Sequence, residues 1–87
     1  MSLNEAGEKL CNILYSSAYD DEANEIRNLM IAINFLEKDD PVRISAIDDL
    51  ILRCHPKWLG DYYIKNITYS EWTDLIVNFK NQLKRVK

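Results

Sequence analysis

The sequence predicts an all-α fold, a compact bundle of four helices with a long aromatic-rich loop before the last helix. Three observations lead to this fold class. Apolar residues recur at helical spacing in four segments, two of these segments open with a capping box, and a third opens with an Asp-Pro start. The chain of 87 residues has an ordinary globular composition, so residues 1–87 are expected to form a single helical domain.

The first helix is predicted over residues 3–16. Ser2 and Glu5 have the S-x-x-E spacing of a capping box, in which hydroxyl and carboxylate each bond to a backbone amide of the other residue. Gly7 costs up to about 1 kcal/mol relative to alanine inside a helix and is expected to mark a close contact between helices. The apolar stripe consists of Leu3, Ala6, Leu10, Ile13 and Leu14.

The second helix is predicted over residues 21–38. Asp20, Asp21 and Glu22 lie where it starts, and carboxylates there favour the positive end of the helix dipole by about 0.3 to 1 kcal/mol each. Its apolar residues cover most of the circumference, so we expect a central helix with neighbours on more than one side. These residues are Ile26, Leu29, Met30, Ile31, Ile33, Phe35 and Leu36.

The third helix is predicted over residues 41–54. Asp40 is placed as its cap and Pro41 as its first residue, because proline suits the first turn and cannot continue a preceding helix. Pro56 ends it, since the residue before a proline avoids helical angles.

The fourth helix is predicted over residues 69–85. Thr68 and Glu71 repeat the capping box, and Ile67 with Trp72 has the spacing of a hydrophobic staple. The apolar stripe continues through Leu75, Ile76, Phe79, Leu83 and Val86.

The connection "HPKWLGDYYIKN" is a long aromatic segment for so small a domain. Gly60 permits a turn with a positive backbone angle. Tyr62 and Tyr63 should point in opposite directions if the chain is extended, which leaves at least one of them available to a partner. The residues expected to pack onto the core are Trp58, Leu59 and Ile64.

Charge is distributed unevenly along the chain. Residues 1–50 hold 11 acidic and 4 basic side chains, a net charge of −7, whereas residues 51–87 hold 3 acidic and 7 basic ones, a net charge of +4. An acidic first half argues against nucleic acid as the main ligand and for a basic protein partner. No apolar run is long enough for a membrane span and no leader is recognisable, so a cytoplasmic location is expected.

Catalytic and metal-binding patterns are sparse. Cys11 and Cys54 lie among apolar residues and are expected to be buried free thiols. Cys54 and His55 are adjacent, but adjacent residues at a helix end project in different directions, so the pair does not predict a catalytic dyad. We therefore expect no enzyme activity, no cofactor and no metal site.

Two other functions are compatible with the sequence. A helical structural or regulatory subunit would dimerise through its first and last helices. A small DNA-binding regulator would use Lys80, Lys84 and Lys87 on the last helix, although a helix-turn-helix needs a shorter connection than the one before this helix.

Small size, an acidic first half, a segment rich in tryptophan and tyrosine, and four helices together resemble the helical immunity proteins that bacteria make against their own toxins, of the bacteriocin or contact-dependent growth inhibition type. The resemblance is one of type over the whole chain, and no functional residue is carried over from it. It implies stoichiometric neutralisation of a cognate toxin, commonly a nuclease. From the residues themselves, the predicted partner-binding site consists of Asp20, Asp21, Glu22, Glu25, Asp39, Asp40, Asp48, Asp49, Tyr62 and Tyr63.

Overall fold

Four α-helices make up most of the chain in the computed structural model, which describes residues 2–87. They are α1 (Leu3–Ser16), α2 (Asp20–Phe35), α3 (Pro41–Arg53) and α4 (Tyr69–Val86), and a short 3₁₀ turn, Leu59–Asp61, lies in the connection before α4. The predicted all-α fold with four helices is confirmed, and three of the four predicted helices agree with the structure to within one residue at each end.

Both predicted capping boxes are present. The Ser2 hydroxyl accepts a hydrogen bond from the Glu5 amide at 3.2 Å, and the Glu5 carboxylate accepts one from the Ser2 amide at 3.1 Å. Thr68 and Glu71 make the same reciprocal pair at the start of α4, with both distances 3.1 Å. Because these backbone amides favour the ionised carboxylate, the pKa values of Glu5 and Glu71 lie below their usual range.

The second helix ends at Phe35, so the predicted extension to residue 38 is wrong. Leu36 is already extended, with φ −96° and ψ 156°. Residues 36–40 reverse the chain before Asp40 caps α3. The Arg43 Nε donates a hydrogen bond to the carbonyl of Ile33, near the end of α2, at 3.0 Å. A side chain thus satisfies a backbone oxygen that the helix would otherwise expose.

The helices form a closed ring in which each packs mainly against two others, α1 and α3 against α2 and α4. The start of one helix meets the end of the next: Asn34 donates to Asn4, Arg53 to Glu22, and Arg43 to the last carbonyl of α4. Neighbouring helices are therefore antiparallel, as the short connections from α1 to α2 and from α2 to α3 favour. As expected, α2 has helices on two sides, α1 and α3, and each of the other three helices also packs mainly against two neighbours.

The core lies along the axis of the ring, and Trp72 and Phe79 are its largest fully buried side chains. Gly7 confirms the expected close contact. A Cβ atom at this position would lie 3.2 Å from the Met30 Cε and 3.3 Å from the Phe79 Cε1, so α1 approaches α2 and α4 closely there.

Two apolar residues of α2 remain exposed on its otherwise polar outer side. Ile31 is 54% exposed and Phe35 is 82% exposed, so these two residues widen the sequence stripe without joining the core. A helix in a ring of four buries one face, and apolar residues beyond that face stay in contact with solvent. Within residues 2–87, no helix combines the length and the apolar character needed to cross a bilayer.

Candidate functional site

The connection between α3 and α4 crosses one end of the bundle. The Leu59 side chain is fully buried, and its carbonyl accepts a hydrogen bond from the Trp72 indole at 2.7 Å. The Ser17 hydroxyl accepts another from the Lys65 amide at 3.2 Å. Of the residues expected to pack down, Leu59 is buried and Ile64 half-buried, whereas Trp58 keeps 39% of its surface exposed.

Gly60 does not adopt the positive backbone angle that a glycine would permit at this position. Gly60 lies in the 3₁₀ turn, where φ is negative, and an added Cβ would meet its nearest neighbour, Pro56, at 3.5 Å. Positive φ occurs instead at Ala18 and Asn66, with values of 68° and 69°. Asparagine tolerates this conformation better than most residues.

A buried arginine at the end of α3 gathers carboxylates from two helices. The Arg53 Nη1 atom donates to Glu22 at 2.7 Å and to Glu25 at 2.8 Å, and its Nε donates to Asp49 at 2.7 Å. Asp49 lies one turn before Arg53 on α3, while both glutamates come from the start of α2. The antiparallel packing of α2 and α3 therefore brings together charges that lie about thirty residues apart in sequence.

Glu22 joins this arginine to the aromatic loop. Its Oε2 pairs with Arg53, and its Oε1 accepts hydrogen bonds from the Trp58 indole and the Tyr62 hydroxyl, both at 3.2 Å. The Trp58 ring covers the guanidinium, with 4.9 Å from the Arg53 Cζ to the ring centroid. A carboxylate that is 8% exposed thus has three donors, which is what a buried charge requires.

The end of α1 positions a further ring against this network. Ala18 adopts the left-handed conformation, and the Tyr19 and Ala18 amides donate to the carbonyls of Leu14 and Tyr15 at 2.8 and 3.1 Å, the pattern of a Schellman motif. Tyr19 then stacks on Tyr62, with the ring centroids 4.6 Å apart. Tyr62 of the loop therefore contacts a helix end more than forty residues away.

The electrostatics of the network follow from burial and pairing. Burial alone would favour a neutral Arg53, but the hydrogen bonds to Asp49, Glu25 and Glu22 outweigh it and raise the pKa of the guanidinium above its usual value. Burial, followed by the charge of Glu22 and the hydrogen bond to it, raises the pKa of Tyr62. Both groups keep their proton at neutral pH, so Tyr62 donates and Glu22 accepts.

We call this set the Arg53 cluster. It has three carboxylates and one guanidinium, a formal net charge of −2. Glu25 and Asp49 form its outer part, with 60% and 42% of their side chains exposed. Its members are Glu22, Glu25, Asp49, Arg53, Trp58 and Tyr62.

The other predicted site residues occupy four places. Asp20 and Asp21, together with Tyr19, Glu22 and Tyr62, line a shallow pocket of about 270 Å³ beside the Arg53 cluster. Tyr63 is 75% exposed, while its neighbour Tyr62 is half-buried. The remaining three lie elsewhere: Asp39 and Asp40 are in the α2–α3 connection at the opposite end of the bundle, and Asp48 pairs with Lys87 at 2.8 Å.

Sequence reasoning did not find three residues that organise this end of the bundle. Arg53 was not singled out, although its spacing of four from Asp49 is a recognisable helix-surface pair. The sequence predicts packing for Trp58, and no local pattern in it marks Tyr19. Nothing in the sequence indicates the pairing of Glu22 with Arg53, because it depends on how two helices pack.

The thiols are poor candidates for chemistry. Burial raises the pKa of Cys11 to about 11 and that of Cys54 to about 12, so both are protonated at neutral pH. Both are buried and free, as predicted.

The Nδ1 of His55 accepts a hydrogen bond from the Lys57 amide at 3.0 Å. Among residues 2–87, no three His, Cys, Asp or Glu side chains are arranged to hold a metal ion.

Comparison with known proteins gives no match: no family model fits the sequence, and no curated protein and no solved structure is significantly similar to the chain.

Proposed function

We propose that this protein is an immunity protein, which binds a basic protein toxin stoichiometrically and thereby neutralises it. The observation that carries the proposal is the Arg53 cluster, a net negative patch with aromatic side chains fixed in place by hydrogen bonds. Tryptophan and tyrosine contribute strongly to protein interfaces, and surrounding carboxylates steer a basic partner. A nuclease suits this chemistry, because its active site must be positive to hold phosphate.

Preorganisation supports binding through this end of the molecule. Trp58 is held by Glu22 and Arg53 and still exposes 39% of its surface. An anchor that is ordered before binding loses little side-chain entropy when the partner arrives. Tyr63, which is 75% exposed and lies in the same loop, offers a second ring to the partner.

The negative charge available to a partner lies mainly at the start of α2. Asp20 and Asp21 are exposed in its first turn, and Glu25 lies one turn further on. Glu22 is less available, since it is buried and already has three donors. We therefore assign long-range attraction to Asp20, Asp21 and Glu25, and contact area to Trp58 and Tyr63.

The test uses the reading frame that neighbours this gene. We expect the C-terminal domain that this frame encodes to be toxic when produced alone. It is produced with and without this protein, and cell survival is measured together with the stoichiometry of the purified complex. We expect protection and a one-to-one complex. A soluble, folded pair that does not associate, or an association that leaves the toxic activity unchanged, would overturn the proposal.

Charge variants test the electrostatic part. Asp21→Lys and Asp74→Lys change the net charge equally, and both residues are exposed, but Asp74 lies on α4. We expect Asp21→Lys to slow association and to flatten its dependence on salt, while Asp74→Lys leaves both close to those of the unmodified protein. Equal effects of the two variants would contradict the assignment.

A tyrosine variant tests the contact surface. Tyr63→Ala should fold normally because the side chain is 75% exposed, and it should weaken binding by about 2 kcal/mol if Tyr63 is an anchor. Val77→Ala is the control, since Val77 is 54% exposed on α4 and lies away from the aromatic loop. Binding is measured by titration calorimetry, and the thermal unfolding of both variants confirms that they are folded.

A further inference from the structure

An apolar groove runs along the bundle between α2 and α3. It has a volume of about 320 Å³, and its lining includes Leu29 and Ala32 from α2 and Val42, Ser45 and Ala46 from α3. Val42 is 61% exposed, so part of this apolar surface is in contact with solvent. Small side chains from both helices leave the space that a larger residue of a partner would fill.

The α3 side of the groove has the periodicity of a helix contact face. Val42, Ser45, Asp49 and Leu52 are three or four residues apart and therefore lie on one stripe. Val42 and Leu52, at the two ends of this stripe, are 61% and 67% exposed. Val42 and Leu52 are ten residues apart, so the stripe is about 15 Å long. A surface of this length can contact nearly three turns of another helix.

Charge distinguishes one end of the groove from the other. Asp49 lines the groove and also binds Arg53, whose other partners include Glu25. The groove therefore runs into the Arg53 cluster, which has a formal net charge of −2. Trp58 covers Arg53 there and presents a fixed aromatic surface. A segment that fits this groove needs apolar residues along its length and basic residues at the end near Asp49.

We propose that the groove between α2 and α3 docks an amphipathic helix of the partner, with its lysine or arginine residues placed against Glu25 and Asp49. The inference rests on the proposed function, because it names the structural class of the segment that the partner contributes. Apolar anchors of this helix recur every three to four residues, as in other helix-in-groove complexes. The bundle thereby gains a fifth helix on the side where α3 exposes Val42 and Leu52.

The experiment uses two peptides of about 18 residues, long enough to form a helix. Both contain the same numbers of leucines and lysines, but only one has the leucines at helical spacing. Each is titrated into isotope-labelled full-length protein, and amide chemical shifts are recorded. We expect saturable shifts at Ala32, Val42, Ser45 and Ala46 with the amphipathic peptide and no saturable binding of the scrambled one.

A variant and its control fix the location. Ser45→Arg places a large basic side chain in the groove at an exposed helical position, and Asn81→Arg makes the same change in charge on an exposed position of α4. We expect Ser45→Arg to weaken peptide binding by at least about tenfold, which corresponds to about 1.4 kcal/mol, and Asn81→Arg to leave it unchanged.

The inference would be overturned by amide shifts centred on α4 or by equal binding of the two peptides. A stable dimer of the protein that buries Ser45 would also overturn it, since a second copy of this chain would then fill the groove. The outcome is independent of the toxin experiment. A toxin that binds while the groove takes no helix removes this inference alone, and a helix that binds in the groove without any toxin complex removes the proposed function alone.

Discussion

Replacing Arg53 by methionine tests whether one buried cation holds α2, α3 and the aromatic loop together. Methionine keeps most of the aliphatic length of the side chain under Trp58 and removes the charge. Arg53 and Glu22 are each 8% exposed, so the substitution leaves a buried carboxylate without its cation. That carboxylate keeps two hydrogen bonds, from Trp58 and Tyr62.

The magnitude follows from the exposure of the three ion pairs. Removing one partner of a buried pair costs about 3 to 5 kcal/mol, and this range applies to the pair with Glu22. The pairs with Glu25 and Asp49 involve carboxylates that are 60% and 42% exposed, and such pairs contribute about 0.2 to 1 kcal/mol each. Since the two remaining hydrogen bonds offset part of the loss, we expect a destabilisation of about 3 kcal/mol.

Urea unfolding monitored by circular dichroism measures this loss. Asp49→Asn is the control, because it removes one exposed pair and should cost less than about 1 kcal/mol. A double-mutant cycle of Arg53→Met with Glu22→Gln should show a coupling energy of about 1.5 kcal/mol or more, since the two residues share a buried contact. The coupling should change little with salt, because the pair is buried.

A loss below about 1 kcal/mol for Arg53→Met, or one equal to that of Asp49→Asn, would refute this reasoning. In that case the Arg53 cluster would contribute no more to the free energy of unfolding than an exposed ion-pair network does. Trp58 and Tyr62 would then have to be held by loop packing alone.

Three further predictions concern the rest of the fold. Ala18→Gly should stabilise the protein by about 0.5 to 1 kcal/mol in urea unfolding, because Ala18 has φ 68° and glycine adopts this conformation at little cost; a loss of stability would contradict the Schellman interpretation. Trp72→Ala should cost about 3 kcal/mol or more and nearly abolish folding by circular dichroism, since it empties a fully buried site and removes a donor from Leu59. Burial raises the pKa of Cys11 to about 11 and that of Cys54 to about 12, from 9.0 in the unfolded chain, so the stability that the two protonated thiols contribute should be fully present below about pH 9 and be lost as the pH rises toward those values. Replacing both cysteines by alanine should flatten this dependence of the unfolding free energy on pH, and an unchanged slope would contradict the prediction.

Helix starts were predictable because their signals are local. Ser2 with Glu5 and Thr68 with Glu71 satisfy backbone amides within three residues, so the sequence pattern and the hydrogen bonds coincide. The end of α2 was not predictable from periodicity, because the apolar pattern continues to Leu36, and the bond from Arg43 to the Ile33 carbonyl joins residues of two different helices.

The candidate site was predictable only in part. Spacing identified carboxylates at the start of α2, and Asp20, Asp21, Glu22 and Glu25 do lie in its first two turns. Whether each carboxylate is exposed or paired depends on residues that are distant in sequence, as the burial of Glu22 under the aromatic loop illustrates. Periodicity assigns a residue to a face of a helix, and tertiary packing decides whether another element covers that face.

The two tryptophans differ in surroundings, and this difference has an optical consequence. Trp72 is 1% exposed in the core, whereas Trp58 is 39% exposed beside a charged pair. Fluorescence from Trp58 should lie at longer wavelength and be quenched by acrylamide, while the emission of Trp72 is shielded from the quencher. The unmodified chain therefore contains two intrinsic fluorophores, one that reports on events at the surface of the bundle and one that reports on its unfolding.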